Sequence, residues 1–237
     1  MNLAPASPTG TITTLPEYAS TYGDHDGESI DADLAEGSSP PEYAPSAPRT
    51  ASTVTYTLTP TTTSNGFTLQ GQDSTGAVHP QYHINANTKA VPFAPLLVVT
   101  TVRRDTPNGP LVGQTEMSST HPRAGIVIMG NVAQRISNVL QTLPAVPAAA
   151  HWKWKFDDVD LRWDCSKNSP EGIPIYRCYR GARTKHMATF MPAPLGLTPP
   201  FSSPRLIVFP SGQEMFEHIL MSALVLEHTL LIMGRGT

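Results

Sequence analysis

Cysteine is nearly absent: Cys165 and Cys178 are the only two in 237 residues. Two thiols cannot build the disulfide framework that holds small secreted domains together. Charge is scarce too, at 15% of residues, and neither a C-x-x-C pair nor a G-x-S-x-G elbow occurs. Zinc-finger chemistry and a hydrolase nucleophile elbow therefore have no foothold. Residues 1–12 lack both a basic stretch and an apolar stretch, so no secretory signal is expected. The expectation is a reducing, cytoplasmic setting with both thiols free.

What is present is unevenly spread. Residues 1–50 hold eight acids, from Glu17 to Glu42, against the single base Arg49, in a background of Pro, Ser, Thr, Ala and Gly. Such a stretch cannot bury enough apolar surface to offset the entropy of ordering, so it is expected to be a disordered acidic tail. The chain totals sixteen Lys/Arg and nineteen Asp/Glu. The tail therefore carries about −7 and residues 51–237 about +4, fifteen bases against eleven acids. That second part is long enough for one sizeable core. Its positive charge is modest, and no nucleic-acid partner is expected.

From residue 51 to 210 the pattern is of short strands separated by turns. Residues 54–59 and 67–69 flank Ser64-Asn65-Gly66, a hairpin signal. Residues 77–85, 96–104, 111–117 and 124–129 follow, with turn chemistry at Asp73 to Gly76 and at Thr106 to Gly109. Residues 131–143 suit a helix face as well as a strand with a turn. Trp152, Trp154 and Phe156 alternate with Lys153 and Lys155, and Leu161, Trp163 and Cys165 alternate with Asp160, Arg162 and Asp164. These period-two patterns predict half-buried antiparallel strands. Residues 175–179, 186–191 and 205–209 complete a set of about a dozen, which suits a barrel or sandwich.

The end differs in kind. Ser211 with Glu214 forms a capping-box pattern, and residues 215–233 are apolar on every side of a helix, with Gly234 and Gly236 as stop signals. Such a helix is buried in protein or in lipid. Glu227-His228 interrupts the apolar run, which favours a core helix whose acid sits near an open end; the alternative is a C-terminal membrane anchor.

Three segments, 101–117, 152–179 and 205–231, resemble in order and spacing a fungal domain-of-unknown-function family, chiefly from basidiomycetes, related to tubby-like and LURP-one-like barrels. The resemblance covers residues 52–233. It implies a mainly β domain: a closed antiparallel barrel of about twelve strands around a hydrophobic C-terminal helix. The Pro-rich stretch 192–204 departs from a tight strand connection. Tubby-like domains bind phosphoinositides, yet no head-group motif matches here residue by residue, and fold alone does not carry function.

Two kinds of site stand out. Pro40-Pro41-Glu42-Tyr43 is a PPxY motif and Leu15-Pro16-Glu17-Tyr18 the related LPxY. WW domains bind such segments because a preformed polyproline helix loses little entropy and Tyr fills an aromatic groove. Partners among WW-containing ubiquitin ligases are expected, through Leu15, Pro16, Tyr18, Pro40, Pro41 and Tyr43, against chance in a Pro-rich tail. Arg177, Arg180, Arg183 and Lys185 form the densest basic cluster, close to Lys153 and Lys155 if those strands adjoin. They suit an anionic phospholipid surface, against the plainer reading of a solvated strand edge.

Other constellations fall away. His79 and His83 have helical chelate spacing but lie in a predicted strand, roughly 13 Å apart. Cys165, Cys178, His151 and His186 lack metal-site spacing, and Asp157, Asp158, Asp160 and Asp164 read as an exposed charged face. The sequence thus predicts a non-enzymatic adaptor without cofactor or metal, cytoplasmic or peripheral at membranes; a tail-anchored protein or a ligand-free scaffold are the alternatives.

Overall fold

The computed structural model describes residues 52–62, 66–77, 79–90, 92–93, 95–121, 123–144, 151–170, 172–181, 185–193 and 203–235. The tail with both WW-type motifs, Arg183, the Ser64-Asn65 turn and most of the 192–204 stretch lie outside them. In chain order the elements are β1 (Val54–Pro60), β2 (Gly66–Asp73), β3 (Tyr82–Lys89), β4 (Leu97–Arg104), β5 (Leu111–Ser118), β6 (Gly125–Met129) and β7 (Val132–Arg135). Then come α1 (Ile136–Val139), β8 (Leu140–Thr142), β9 (His151–Phe156), β10 (Val159–Asn168), β11 (Pro174–Arg180), β12 (Lys185–Met191) and β13 (Arg205–Val208). A 3-10 segment, Pro210–Met215, leads into α2 (Phe216–Arg235).

The strands form one antiparallel sheet in the order β7-β6-β5-β4-β3-β2-β1-β13-β12-β11-β10-β9-β8. Its middle joins the two ends of the domain, with Val54 opposite Val208 and Thr57 opposite Arg205. The alternation of β9 and β10 holds: Trp152, Trp154, Phe156, Leu161 and Trp163 are buried, while Lys153, Lys155 and Arg162 face outward. Turn chemistry operates where the sequence places it. Asp73 Oδ1 accepts from the Thr75 and Ala77 amides at 2.9 Å each, and Gly76 adopts φ +72°.

Helix α2 touches strands far apart in that order. Phe216 packs on Tyr56 of β1 and Tyr82 of β3, at ring separations of 4.3 and 4.9 Å. On β5, Gly113 admits Met221, whose Cε would lie 2.8 Å from any Cβ at that position. On the other half, Phe156 of β9 meets His218 at 6.0 Å, and Trp163 of β10 donates to Ser222 Oγ. Strands β5 and β10 stand eight places apart in the sheet, roughly 38 Å if it were flat. A helix about 10–12 Å across can meet both only if the sheet curls around it. The stretch Pro210–Gly234 is long and apolar enough to cross a membrane by composition, with mean hydropathy 1.4, and half of it is buried inside the domain.

Four expectations are corrected. The sheet is curled but not closed: among the described residues no ladder joins β7 to β8. The chain itself crosses this seam as α1, with Ile136 and Val139 buried, so the ambiguous stretch 131–143 is strand, one helical turn and strand. Side chains reach across as well; Arg123 Nη2 donates to Thr142 Oγ1 at 3.0 Å, and Arg123 Cζ lies 5.4 Å from the centre of the Trp152 ring. Second, Ala77 and residues 79–81 are loop rather than strand, and pairing resumes at Tyr82. Third, Ser211 is no helix cap. Its hydroxyl donates to the His186 carbonyl at 2.7 Å, while Pro210, which needs no N–H partner, opens the 3-10 turn. Fourth, Gly234 lies within α2 rather than ending it.

Candidate functional site

The interior is filled unevenly along α2. At its N-terminal end Tyr56, Tyr82 and Phe216 crowd together. Two or more residues further along the same strands the inward positions are Leu58 on β1, Ile84 and Ala86 on β3, and Val98 and Thr100 on β4. These shorter side chains leave a cavity of about 570 Å³ between β1–β4 and the second half of α2. Phe67, Pro60, Ala193, Ser203 and Pro204 complete its lining. The size falls within the range of small-molecule sites.

The helix contributes one stripe, Leu224, Glu227, His228 and Leu231, whose i, i+3, i+4, i+7 spacing puts all four on one face. His228 Nε2 donates to the Ser118 carbonyl of β5 at 3.2 Å, which fixes the ring. Glu227 makes no hydrogen bond or ion pair among the described residues. Burial pushes its carboxyl up to about 7. Tyr176 of β11 lies near enough to feel the Glu227 charge, and burial first, then Cys165 and Glu227, raises its phenol. The other acid of α2 behaves differently. Glu217 is met by Arg104 of β4, which donates through both Nε and Nη2.

The basic residues named from sequence do not form one cluster. Strands β9 and β11 are separated by β10, which places Asp160, Arg162 and Asp164 between them. Lys153 Nζ is paired with Asp160 at 2.8 Å, Lys155 stands opposite Asp160, and Arg177 stands opposite Asp164. Arg180 and Lys185 face each other where β11 ends and β12 begins, beside His186, whose carbonyl accepts from Ser211. The outer wall therefore mixes both signs, with Lys153 also opposite Arg162.

The remaining candidates also separate. His79 contacts Asp73 at 3.2 Å, whereas His83 bonds the Asp105 carbonyl, also at 3.2 Å. Hydrogen bonds from Ser52 and Thr75 hold the Asp73 carboxyl below the usual range. His186 bonds Ala188 O and Thr189 Oγ1 and stacks on Tyr179, while His151 Nδ1 lies 3.4 Å from Asp164. Burial raises both thiols. Among the described residues no three His, Cys, Asp or Glu converge on a common point.

Comparisons with protein-family models, with curated proteins and with solved structures return no match. The cavity was missed by sequence reasoning, although Glu227-His228 in an apolar helix is its signature: an acid and an imidazole on the stripe with Leu224 and Leu231.

Proposed function

We propose that the folded domain is a non-enzymatic, tubby-like binding module that takes an apolar-chain small molecule into the cavity between β1–β4 and α2. The observation that carries this reading is the cavity itself: about 570 Å³, walled mainly by apolar side chains, with Thr100, Ser203, Glu227 and His228 as its polar lining. An open seam distinguishes it from a complete tubby-like barrel. Membrane lipids are the natural source of such chains, which suits a cytoplasmic protein working at membrane surfaces. The tail motifs at Pro40–Pro41–Tyr43 and at Leu15–Pro16–Tyr18 would recruit WW-domain partners to whatever the domain holds. An anionic phospholipid surface is the weaker reading of the basic residues, because Asp160 and Asp164 offset Lys153 and Arg177.

The test is titration of the full chain with the neutral fluorophore N-phenyl-1-naphthylamine. Saturable enhancement is expected, and Ala86→Phe, which fills the cavity from β3, should abolish it while the domain still melts cooperatively. Enhancement unchanged in that variant would place the probe elsewhere and overturn the reading.

A further inference from the structure

The two acids of α2 are treated oppositely by the fold. Glu217 is met by a guanidinium, whereas Glu227 faces a cavity whose strand wall offers Leu58, Ile84, Ala86, Val98 and Thr100 and no cation. A carboxylate in such surroundings is costly unless something positive or hydrogen-bond-donating meets it. We infer that the cavity's occupant carries a protonated amine on its apolar chain, and that Glu227 receives that amine. The inference rests on the cavity reading above and adds the head group.

Three observations converge. Glu227 lines the cavity and has no partner among the described residues. Among the described residues the strand wall of the cavity is uncharged, so it offers no cation to compete for the carboxylate. His228 Nε2 is committed as a donor to Ser118 O, so that nitrogen cannot compete as a donor to Glu227. A carboxylate-headed chain would set two like charges side by side, and an alcohol would forgo the charge-assisted bond, about twice as strong as a neutral one. The raised Glu227 carboxyl fits a group awaiting its counter-ion.

The experiment displaces N-phenyl-1-naphthylamine from the full chain with decylamine, decanol and decanoate at pH 8, each below its micelle concentration or, for decanol, its solubility limit. Decylamine should displace at about ten-fold lower concentration than either competitor, an effect of the size of one charge-assisted bond. In Glu227→Gln the three should agree within about two-fold. On lowering the pH from 8 to 5.5 the amine advantage in the unmutated chain should shrink, because Glu227 takes up a proton while the amine stays charged. Among the described residues Tyr176 and His228 are the titratable groups beside it. A protonated imidazole would also repel an amine, so His228→Asn is run alongside and should keep the pH effect. Equal displacement by all three chains, or an amine preference that survives Glu227→Gln, would overturn the inference while leaving the cavity reading standing. Failure of the fluorophore to bind at all would remove the cavity reading and this inference with it. If Glu227→Gln does not fold, the pH series on the unmutated chain decides: a ratio constant from pH 8 to 5.5 overturns the assignment.

Discussion

Trp163 on β10 donates its indole N–H to Ser222 Oγ on α2 at 3.1 Å, and Ser222 donates in turn to the Ile219 carbonyl at 2.9 Å. All three residues are buried, so this relay pins the helix to one half of the sheet at a fixed height. Ser222→Ala would leave the indole N–H buried without that partner, at a cost of about 1–3 kcal/mol. For a domain of this size that corresponds to roughly 2–4 °C of Tm per kcal/mol. Thermal melting followed by tryptophan fluorescence checks it; an unchanged Tm would mean that the bond contributes nothing.

Burial of α2 makes a second prediction, and the structure sharpens the choice of residue. Leu226 is fully buried, whereas Leu224 is partly exposed and borders the cavity. Leu226→Ala should cost about 2–5 kcal/mol, and Leu224→Ala distinctly less, because one neighbourhood is filled and the other already contains space. Leu226→Asp should abolish the cooperative melt. In cell fractionation the unmutated protein should be extracted from membranes by alkali. Its retention in an alkali-resistant pellet, with Leu226→Ala melting normally, would favour the membrane anchor.

Much of this architecture is legible in the residues. Period-two alternation around Trp152 and Trp163 marks β9 and β10 because each strand has one buried face, and the turns at Asp73 and Thr106 declare themselves by their chemistry. Closure is not legible. Whether β7 pairs with β8 depends on a four-residue turn of helix at the seam, and Ile136 and Val139 fit helix and strand alike. The basic residues mislead for a related reason. Composition counts Lys153 and Arg177 as neighbours, but register inserts β10 and its aspartates between them. The cavity is harder still, because it arises from side-chain size at paired positions on four strands, which local patterning does not encode.

That charge arrangement has its own consequence. With Lys153 held by Asp160 and Arg177 facing Asp164, Lys153→Gln with Arg177→Gln should change co-sedimentation with anionic vesicles little. The exposed pair Arg180 and Lys185 retains more free charge; its replacement by Gln should reduce any binding at low salt, with the effect fading as salt shortens screening to about 8 Å. A strong, salt-insensitive loss on replacing Lys153 and Arg177 would restore the outer wall as a head-group site.

The tail motifs predict a modular interaction independent of the cavity. A peptide containing Pro40, Pro41 and Tyr43 should bind a WW domain, and Tyr43→Ala should abolish binding, since the ring is what fills the aromatic groove. The Leu15, Pro16 and Tyr18 motif on the same chain should raise apparent affinity for tandem WW domains when both are present. Isothermal titration with single and double Tyr variants measures both effects. Equal affinity of the peptide with and without the Tyr43→Ala substitution would rule the motif out.

Glu227 links the cavity to stability through pH. Its carboxyl is near 7 in the folded domain against 4.5 for an unburied glutamate, because burial disfavours the charge. Between those values the folded chain holds a proton that the unfolded chain has released. Stability from this group is therefore full below about 4.5 and declines as pH rises through about 7. At 1.36 kcal/mol per pKa unit the loss has a ceiling on the order of 3 kcal/mol. Histidines work in the opposite direction: burial lowers His186 and His218, so they favour the folded state as pH rises towards 6.5. The measurement must therefore be a difference. Tm of Glu227→Gln minus Tm of the unmutated chain should be near zero at pH 4 and clearly positive at pH 8, because the amide cannot ionise and the histidines cancel. Adding decylamine at pH 8 should raise the Tm of the unmutated chain and leave Glu227→Gln almost unmoved, since a ligand stabilises only the state that binds it. A Tm difference that does not vary with pH would show that the Glu227 carboxylate is as well solvated in the folded domain as in the unfolded chain, and the reading of Glu227 as a buried acidic contact for an amine would fall.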